Sequence, residues 1–442
     1  MVLKKMRSSI LIALSFVGII LLGTLLLMLP VSSNLGEATS FTDSLFTATS
    51  ATCVTGLITL NTPEHWSTFG QIVILIMIQI GGLGTMTIFS LFYLILRKKI
   101  SLKQRLNIKE SFGMETNTGL VKFVKNVIKY AFITEFIGAI LLSFYFIPEL
   151  GILKGFYFSI FHSISAFCNA GFDLTGDSLV GLKYNLLVNL TVAILIIAGG
   201  IGFIVFFEIY EKKRFKFFSL HTKLVLIMTV ILLLSGTLLF FLLEYTNVDT
   251  IKDSNLWQKF LISFFQSTSA RTAGFNTIDL SKIHDSSAFL LIILMFIGAS
   301  PASTGGGIKT TTFGLILFST ISMLRGDNQI KVFKKGIKQE AMYKAFVISF
   351  LGIAIVIMSA FIISIVESDS YKFLDILFEC VSAFGTVGTS RGITSDLHIL
   401  SKYVIIIVMM LGRIGSFSIA NGILERKKES HIKYSYGRIF LG

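Results

Sequence analysis

Long apolar segments alternate with shorter amphipathic ones along this chain. A bilayer crossing needs about 20 mostly apolar residues, and eight segments reach about that length or exceed it: residues 10–29, 72–96, 127–147, 186–207, 224–243, 288–324, 343–366 and 403–424. Four shorter runs place apolar residues at helical spacing: residues 41–52, 156–167, 260–270 and 373–384. The pattern predicts an all-α polytopic membrane protein with eight transmembrane helices and four short helices that dip into the membrane and return.

Composition and charge favour the same class. The 442 residues are 53% hydrophobic and 14% charged, with a mean hydropathy of +0.79, whereas a soluble domain is about 25% charged. Basic residues gather near both termini and after every second apolar segment, and acidic residues are more frequent in the segments between. By the positive-inside rule, both termini and the joints between repeats are cytoplasmic. Topology and anionic lipid therefore explain the net charge of +14, and we expect no nucleic-acid partner.

A short motif that ends in glycine occurs four times, at Gly56, Gly171, Gly274 and Gly388. Each glycine follows a phenylalanine by ten positions: Phe46, Phe161, Phe264 and Phe378. Each also follows a hydroxyl residue by six positions: Ser50, Ser165, Thr268 and Ser382. A fixed register of this kind is typical of an internal repeat. We therefore divide the chain into repeats over residues 1–100, 101–218, 219–338 and 339–442, arranged with pseudo-fourfold symmetry around one pore.

The motif suits the coordination of a dehydrated monovalent cation. Backbone carbonyls supply several oxygen ligands without a net charge that would trap the ion, and potassium-channel filters use them in this way. Glycine permits the sharp turn that such a backbone needs, because it has no Cβ. The predicted filter residues, which would bind potassium, are Val54, Thr55, Gly56, Asn169, Ala170, Gly171, Thr272, Ala273, Gly274, Thr386, Val387 and Gly388.

The three cysteines all lie in the motif-bearing segments, at Cys53, Cys168 and Cys380. No two have metal-ligand spacing. A disulfide between Cys53 and Cys168 would distort both motif turns, so we expect three free, packed thiols.

The second span of each repeat carries small residues about 25 positions after the motif glycine, except that the fourth has an arginine. The pairs are Gly81-Gly82, Gly199-Gly200, Gly298-Ala299 and Gly412-Arg413. A charge at bilayer depth costs about 2.5–3.5 kcal/mol even on lenient scales. Arg413 is therefore expected to project into the pore below the filter. The alternative is an arginine that donates to helix-end carbonyls of a neighbour.

The segment over residues 288–324 is much longer than one crossing, and a proline and three successive glycines interrupt it. Glycine and proline are the residues that destabilise a helix most. A phosphate-binding loop is excluded, because Ile308 stands between Gly307 and Lys309 and no strand precedes it. The sequence predicts a gating loop over residues 299–312 inside the membrane, with gate residues Ser303, Thr304, Gly305, Gly306, Gly307 and Lys309, together with Arg413.

These features together resemble the Trk/Ktr/HKT superfamily of potassium transporters, and most of all the KtrB-type membrane subunits of bacterial Ktr systems. The resemblance covers essentially the whole chain. It rests on the four motifs, the 299–312 loop, the stretch from Gly412 to Gly415, and similar stretches over residues 78–84 and 218–223.

The resemblance implies a potassium-conducting subunit of the bacterial plasma membrane that forms a homodimer. A cytosolic ring of nucleotide-binding regulatory subunits (KtrA/KtrC-type) would control it, so any nucleotide would bind the partner, and sodium activation is possible in the family. Plant relatives with serine at the first motif glycine transport sodium. Gly56 therefore resembles the potassium-selective branch.

Other classes remain to be weighed. A sodium-coupled transporter built from inverted repeats would start alternate repeats on opposite sides, whereas here every repeat starts on the same side. The sequence also leaves open the interpretation that the chain is a sodium-conducting member of the same superfamily. A KdpA-type pumping subunit would carry additional spans. An intramembrane hydrolase could use His162 and Ser165, but no acidic residue orients the histidine, so we expect no enzyme and no tightly bound cofactor.

Overall fold

The computed structural model describes residues 8–84, 120–326, 330–333, 335–368 and 370–414. Helices dominate these residues. One antiparallel pair of two-residue strands, β1 (Lys331–Val332) and β2 (Lys335–Gly336), joins two helices. Parts of two predicted spans, residues 85–96 and 415–424, and the basic residues near both termini lie outside the described residues.

The helices follow one another in a recurring order of long, short and long. They are α1 (Ser8–Leu27), α2 (Phe41–Cys53), α3 (Thr62–His65), α4 (Thr68–Leu83), α5 (Leu120–Leu150), α6 (Ile152–Phe167), α7 (Leu186–Gly200), α8 (Phe203–Lys212), α9 (Leu220–Glu244), α10 (Leu256–Ser269), α11 (Asp285–Phe296), α12 (Thr310–Leu324), α13 (Gln339–Glu367), α14 (Phe373–Gly385) and α15 (Ile399–Ile414). The four predicted short helices are α2, α6, α10 and α14.

Apolar length identifies the helices able to cross a membrane. Among the described residues, α5, α9 and α13 are long and apolar enough, and α7 with α8 makes a fourth if the bent pair counts as one span. The helices α4, α11 and α12 and most of α1 are apolar but shorter. The chain is thus a helical, multi-pass membrane protein.

The short helices form the centre of the molecule. Phe46, Phe161 and Phe378, one from each of three short helices, are fully buried. Local capping defines where these helices begin. The Ser40 hydroxyl accepts a hydrogen bond from the Asp43 amide at 3.1 Å and so caps the N-terminus of α2. The core is therefore built around four short helices that point toward one region.

Two of the predicted spans are interrupted. The break in the 288–324 segment is confirmed: α11 ends at Phe296, α12 begins at Thr310, and a loop over residues 297–309 joins them. The predicted loop over residues 299–312 extended too far, because residues 310–312 form the first turn of α12. The span predicted over residues 186–207 is not one straight helix, because α7 and α8 meet at an angle of 95°. Gly202 between them has φ +99°, which a residue with a Cβ rarely adopts.

Candidate functional site

The four motif glycines meet in a closed ring, although they are spread over more than 300 residues of sequence. A Cβ built on each would collide with the carbonyl oxygen just before the next glycine around the ring. In order, Gly56 would meet the oxygen of Ala170, Gly171 that of Ala273, Gly274 that of Val387, and Gly388 that of Thr55. All four glycines also have positive φ, from +70° to +98°. Close approach and backbone conformation thus both require glycine here. We call these four residues the glycine ring.

The residue two positions before each ring glycine is left-handed: Val54, Asn169, Thr272 and Thr386, with φ from +49° to +71°. Three of these are β-branched, for which this conformation is unfavourable. Strain of this kind is found where surrounding contacts enforce it, commonly at ligand sites. The four segments therefore share one unusual backbone shape, which can present carbonyls toward a common axis.

Hydroxyl side chains form hydrogen bonds with the backbone of these segments and stabilise this shape. The Ser50 hydroxyl accepts from the Gly56 amide at 3.0 Å, and Ser382 makes the same bond to the fourth ring glycine at 3.1 Å. In the second segment, Ser165 donates to the Phe172 carbonyl at 2.7 Å. These three are hydroxyl residues that the sequence register singles out.

The third segment departs from the predicted register by one residue. Thr268 donates to a carbonyl of its own helix at 2.8 Å, and Ser269 instead bonds to the Phe275 carbonyl beyond the ring glycine at 2.5 Å. The buried phenylalanine is also one residue later than predicted, since Phe265 is fully buried and Phe264 only partly. Counting back from the glycine therefore misplaced the third hydroxyl and phenylalanine.

The glycines of the second spans pack against the ends of the short helices. A Cβ on Gly81, Gly199 or Gly412 would collide with a carbonyl oxygen near the end of the adjoining short helix, belonging in turn to Thr52, Phe167 and Phe384. In the third repeat, Gly298 meets the Gly306 carbonyl instead. The 297–309 loop thus occupies, in that repeat, the place that a helix end occupies in the others.

The 297–309 loop passes directly beneath the ring segments. A Cβ on Gly305 would collide with the Thr272 hydroxyl, and one on Gly306 with the Thr386 side chain. The Thr304 hydroxyl donates to the last carbonyl of α6 at 3.2 Å. Three consecutive loop residues therefore touch the undersides of three ring segments.

Residues at the break between α7 and α8 form hydrogen bonds with the first half of this loop. The Ser300 amide donates to the Gly200 carbonyl at 3.0 Å, and the Phe203 amide donates to the Ala302 carbonyl at 2.8 Å. A Cβ on Gly202 would come 2.5 Å from the Pro301 carbonyl oxygen. Sequence reasoning missed this docking site. Gly202, two positions after the glycine pair, was the signal that could have indicated it.

Arg413 and Lys309 bind the loop through its carbonyls. The Arg413 guanidinium donates to the Thr304 carbonyl and, at 2.5 Å, to the Gly81 carbonyl in the last turn of α4. The Lys309 ammonium donates to the Gly305 carbonyl at 2.8 Å. Arg413 therefore donates to a helix-end carbonyl of a neighbour, as the alternative prediction describes, and it also contacts the loop.

Other candidate chemistry is absent from the described part of the chain. His162 is fully buried, with Nδ1 donating to the Phe158 carbonyl at 2.8 Å and Nε2 accepting from the Leu174 amide at 3.3 Å. It therefore activates no hydroxyl at Ser165. Within the described residues, no group of three histidine, cysteine or acidic side chains could hold a metal ion. All three cysteines are free and buried, as predicted.

An ion pair joins the first turn of α2 to α15. The Lys402 ammonium lies 3.4 Å from the Asp43 carboxylate. Burial alone would raise the pKa of Asp43, but hydrogen bonds from Ser40 and Thr59 and the charge of Lys402 lower it below its ordinary value. This contact joins α2, near the beginning of the chain, to α15, the last helix of the described residues.

A family model described as a cation transport protein, TrkH, matches residues 4–430. The potassium/sodium uptake protein NtpJ of Enterococcus hirae is 41% identical over 99% of this chain and 98% of its own. The Ktr system potassium uptake protein B of Bacillus subtilis is 42% identical over 98% of this chain and 96% of its own. The crystal structure of the potassium transporter TrkH from Vibrio parahaemolyticus matches with a TM-score of 0.71 at 18% identity, over 92% of this chain and 84% of that one.

Proposed function

This chain belongs to the TrkH family of cation transport proteins, and we propose that it takes up potassium across the plasma membrane as the ion-conducting subunit of a Ktr-type system. The family membership confirms the predicted resemblance to the Trk/Ktr superfamily. It also confirms that the chain is a transporter and not an enzyme.

The glycine ring is the observation that carries the proposal. A Cβ built on any ring glycine would lie within 3 Å of a carbonyl oxygen of the next segment, so four carbonyls lie around one closed circuit. A cation that loses its water on entering needs several oxygen ligands at once, and carbonyls from residues 54–56, 169–171, 272–274 and 386–388 would supply them. Because no segment contributes a carboxylate at the ring, the ion would be bound without being trapped.

The 297–309 loop is proposed as the gate. It blocks the path directly below the ring, and it rests on hydrogen bonds that can be exchanged for water: those of Arg413, Lys309 and the α7–α8 break. Withdrawal of this loop would open a route from the ring to the cytoplasm. The positive charge of Arg413 near that route would also slow cation passage while the loop is in place.

The architecture that we propose is four repeats in pseudo-fourfold order, with eight crossings and both termini in the cytoplasm. We propose that the chain forms a homodimer and is regulated by cytosolic nucleotide-binding subunits. The word "system" in the names of the Bacillus and Vibrio relatives, the latter from Vibrio alginolyticus and 40% identical, supports a second component.

Sodium is the second candidate ion, as a co-transported, activating or conducted species. The name of the Enterococcus relative includes both potassium and sodium. Gly56 favours potassium over sodium, because glycine adds no side-chain oxygen to the ring.

Growth of a bacterial strain that lacks its own potassium uptake systems tests the proposal. Expression of this chain, with the regulatory subunit from the same source, should restore growth at limiting external potassium. An expressed, membrane-inserted protein that restores no growth at any potassium concentration would contradict it.

A further inference from the structure

A small cavity lies beside the third ring segment, between α7, α9 and α10. Its lining includes Gly200, Thr229, Thr268, Arg271 and Ala299. Its volume of about 10 Å³ corresponds to one water-sized group. The other lining residues are aliphatic.

Arg271 brings an uncompensated charge to this cavity. It stands three positions before Gly274 and only 7% of its side chain is exposed. Its Nε has no hydrogen-bond partner, and no charged neighbour among the described residues acts on its guanidinium. Arg413, by contrast, donates to backbone carbonyls. A buried guanidinium without a partner is costly, so an occupant that pairs with it is favoured.

A second donor lines the same cavity without an acceptor. The Thr229 hydroxyl on α9 is buried and has no hydrogen-bond partner among the described residues. Thr268, the other lining hydroxyl, already donates to its own helix. Two donors without an acceptor, one of them on a cationic side chain, thus belong to residues that line space for one small group.

We propose that this cavity binds a small monovalent anion of the halide class, held by Arg271 and Thr229. A water molecule would accept both hydrogen bonds but would leave the guanidinium charge unneutralised at bilayer depth. A halide accepts both bonds and neutralises the charge. It is larger than water, so the side chains that line the cavity would move apart to accommodate it.

The site joins the ring to the loop beneath it. Arg271 belongs to the segment that carries Gly274, Ala299 belongs to the 297–309 loop, and the Gly200 carbonyl accepts from the Ser300 amide of that loop. Anion occupancy would therefore stabilise the third segment and the docked loop together. Binding at this site does not depend on which cation the protein carries.

Crystals of the full-length protein grown in sodium bromide test the proposal directly. We expect a bromine anomalous peak within hydrogen-bonding distance of the Arg271 guanidinium and the Thr229 hydroxyl. An ordered water only, or a carboxylate from elsewhere in the chain in this position, would overturn it.

Variants provide a solution measurement. The unfolding temperature of the purified protein should be higher in bromide than in gluconate, and titration of this difference gives an affinity. Thr229→Val keeps the side-chain shape and should weaken bromide binding roughly tenfold, while Arg271→Gln should abolish it. Thr237→Val on the same helix is the control, because the Thr237 hydroxyl donates to its own helix at 2.7 Å. An equal bromide effect in the parent and in Thr229→Val would contradict the assignment, even if Arg271→Gln fails to fold.

Discussion

The guanidinium of Arg413 donates a hydrogen bond to the backbone carbonyl of Thr304, 109 residues earlier in the chain. Its other terminal nitrogen reaches the Gly81 carbonyl in the last turn of α4. One side chain therefore joins the loop beneath the ring to a helix of the first repeat. The planar fork of arginine suits two such bonds at once, and this geometry leads to the first prediction.

Replacement of Arg413 by alanine should release the loop and raise cation flux. A hydrogen bond from a charged group contributes about 1.5–3 kcal/mol, so the ratio of open to closed loop should rise roughly tenfold or more. Flux from reconstituted vesicles is the measurement. Arg413→Lys separates two causes, because lysine keeps the charge but not the paired bonds. The structure predicts that Arg413→Lys behaves more like Arg413→Ala than like the parent. Parent-like flux and regulation in Arg413→Ala would show that the contact does not restrain the gate.

Shortening the 297–309 loop should also raise cation flux. Deletion of residues 303–306 removes the part that contacts Thr272 and Thr386. We expect higher flux and weaker dependence on the regulatory partner. A shortened protein that inserts normally but conducts less than the parent would identify the loop as structural support only.

A single methyl group provides a milder version of that test. A Cβ on Gly306 would collide with the Thr386 side chain, so Gly306→Ala should push the loop away from the ring and raise flux. Gly18→Ala on α1 is the control, since a Cβ there meets nothing within 4 Å. Equal flux in the two variants would argue against close contact between loop and ring.

The ring itself is tested at Gly56. A Cβ there would lie 2.5 Å from the Ala170 carbonyl oxygen, so Gly56→Ser should disturb the ring and lower the preference for potassium over sodium. Gly392→Ser is a matched control, because Gly392 has nearly the same φ, +93° against +98°, but open space around it. If both variants keep the parent's ion preference, Gly56 does not shape the ion path. If both lose it equally, backbone strain alone explains the change.

Much of this site follows from the sequence. The four motif glycines and the broken third span were evident because glycine and proline mark backbone conformations that other residues cannot adopt. The sequence did not indicate which residues would touch across repeats. The bend at Gly202 was missed because residues 186–207 are almost entirely apolar, and hydrophobicity does not distinguish a straight helix from two helices at 95°.

The third ring segment shows a different limit. Both Thr268 and Ser269 carry hydroxyls, and both Phe264 and Phe265 are aromatic, so the sequence allows two registers. The choice depends on packing: burial of Phe265 turns α10 so that Ser269, and not Thr268, faces the Phe275 carbonyl. No local pattern contains that information.

This register difference gives a further prediction. Ser269→Ala leaves the buried Phe275 carbonyl without its donor and should lower the free energy of unfolding by about 1–3 kcal/mol. Thr268→Val should cost less, because the Thr268 hydroxyl donates to a carbonyl of its own helix. Thermal unfolding of the two purified variants measures the difference. A larger loss in Thr268→Val would restore the register that the sequence alone indicated.

The central claim, that the glycine ring selects potassium, is tested most directly by uptake into vesicles that contain the purified protein. Initial rates for potassium, rubidium and sodium should be compared in the parent and in Gly56→Ser under the same gradient. The account predicts that the parent carries potassium and rubidium well ahead of sodium, and that Gly56→Ser narrows this difference. Equal rates for all three ions in the parent, or a preference for sodium, would contradict it.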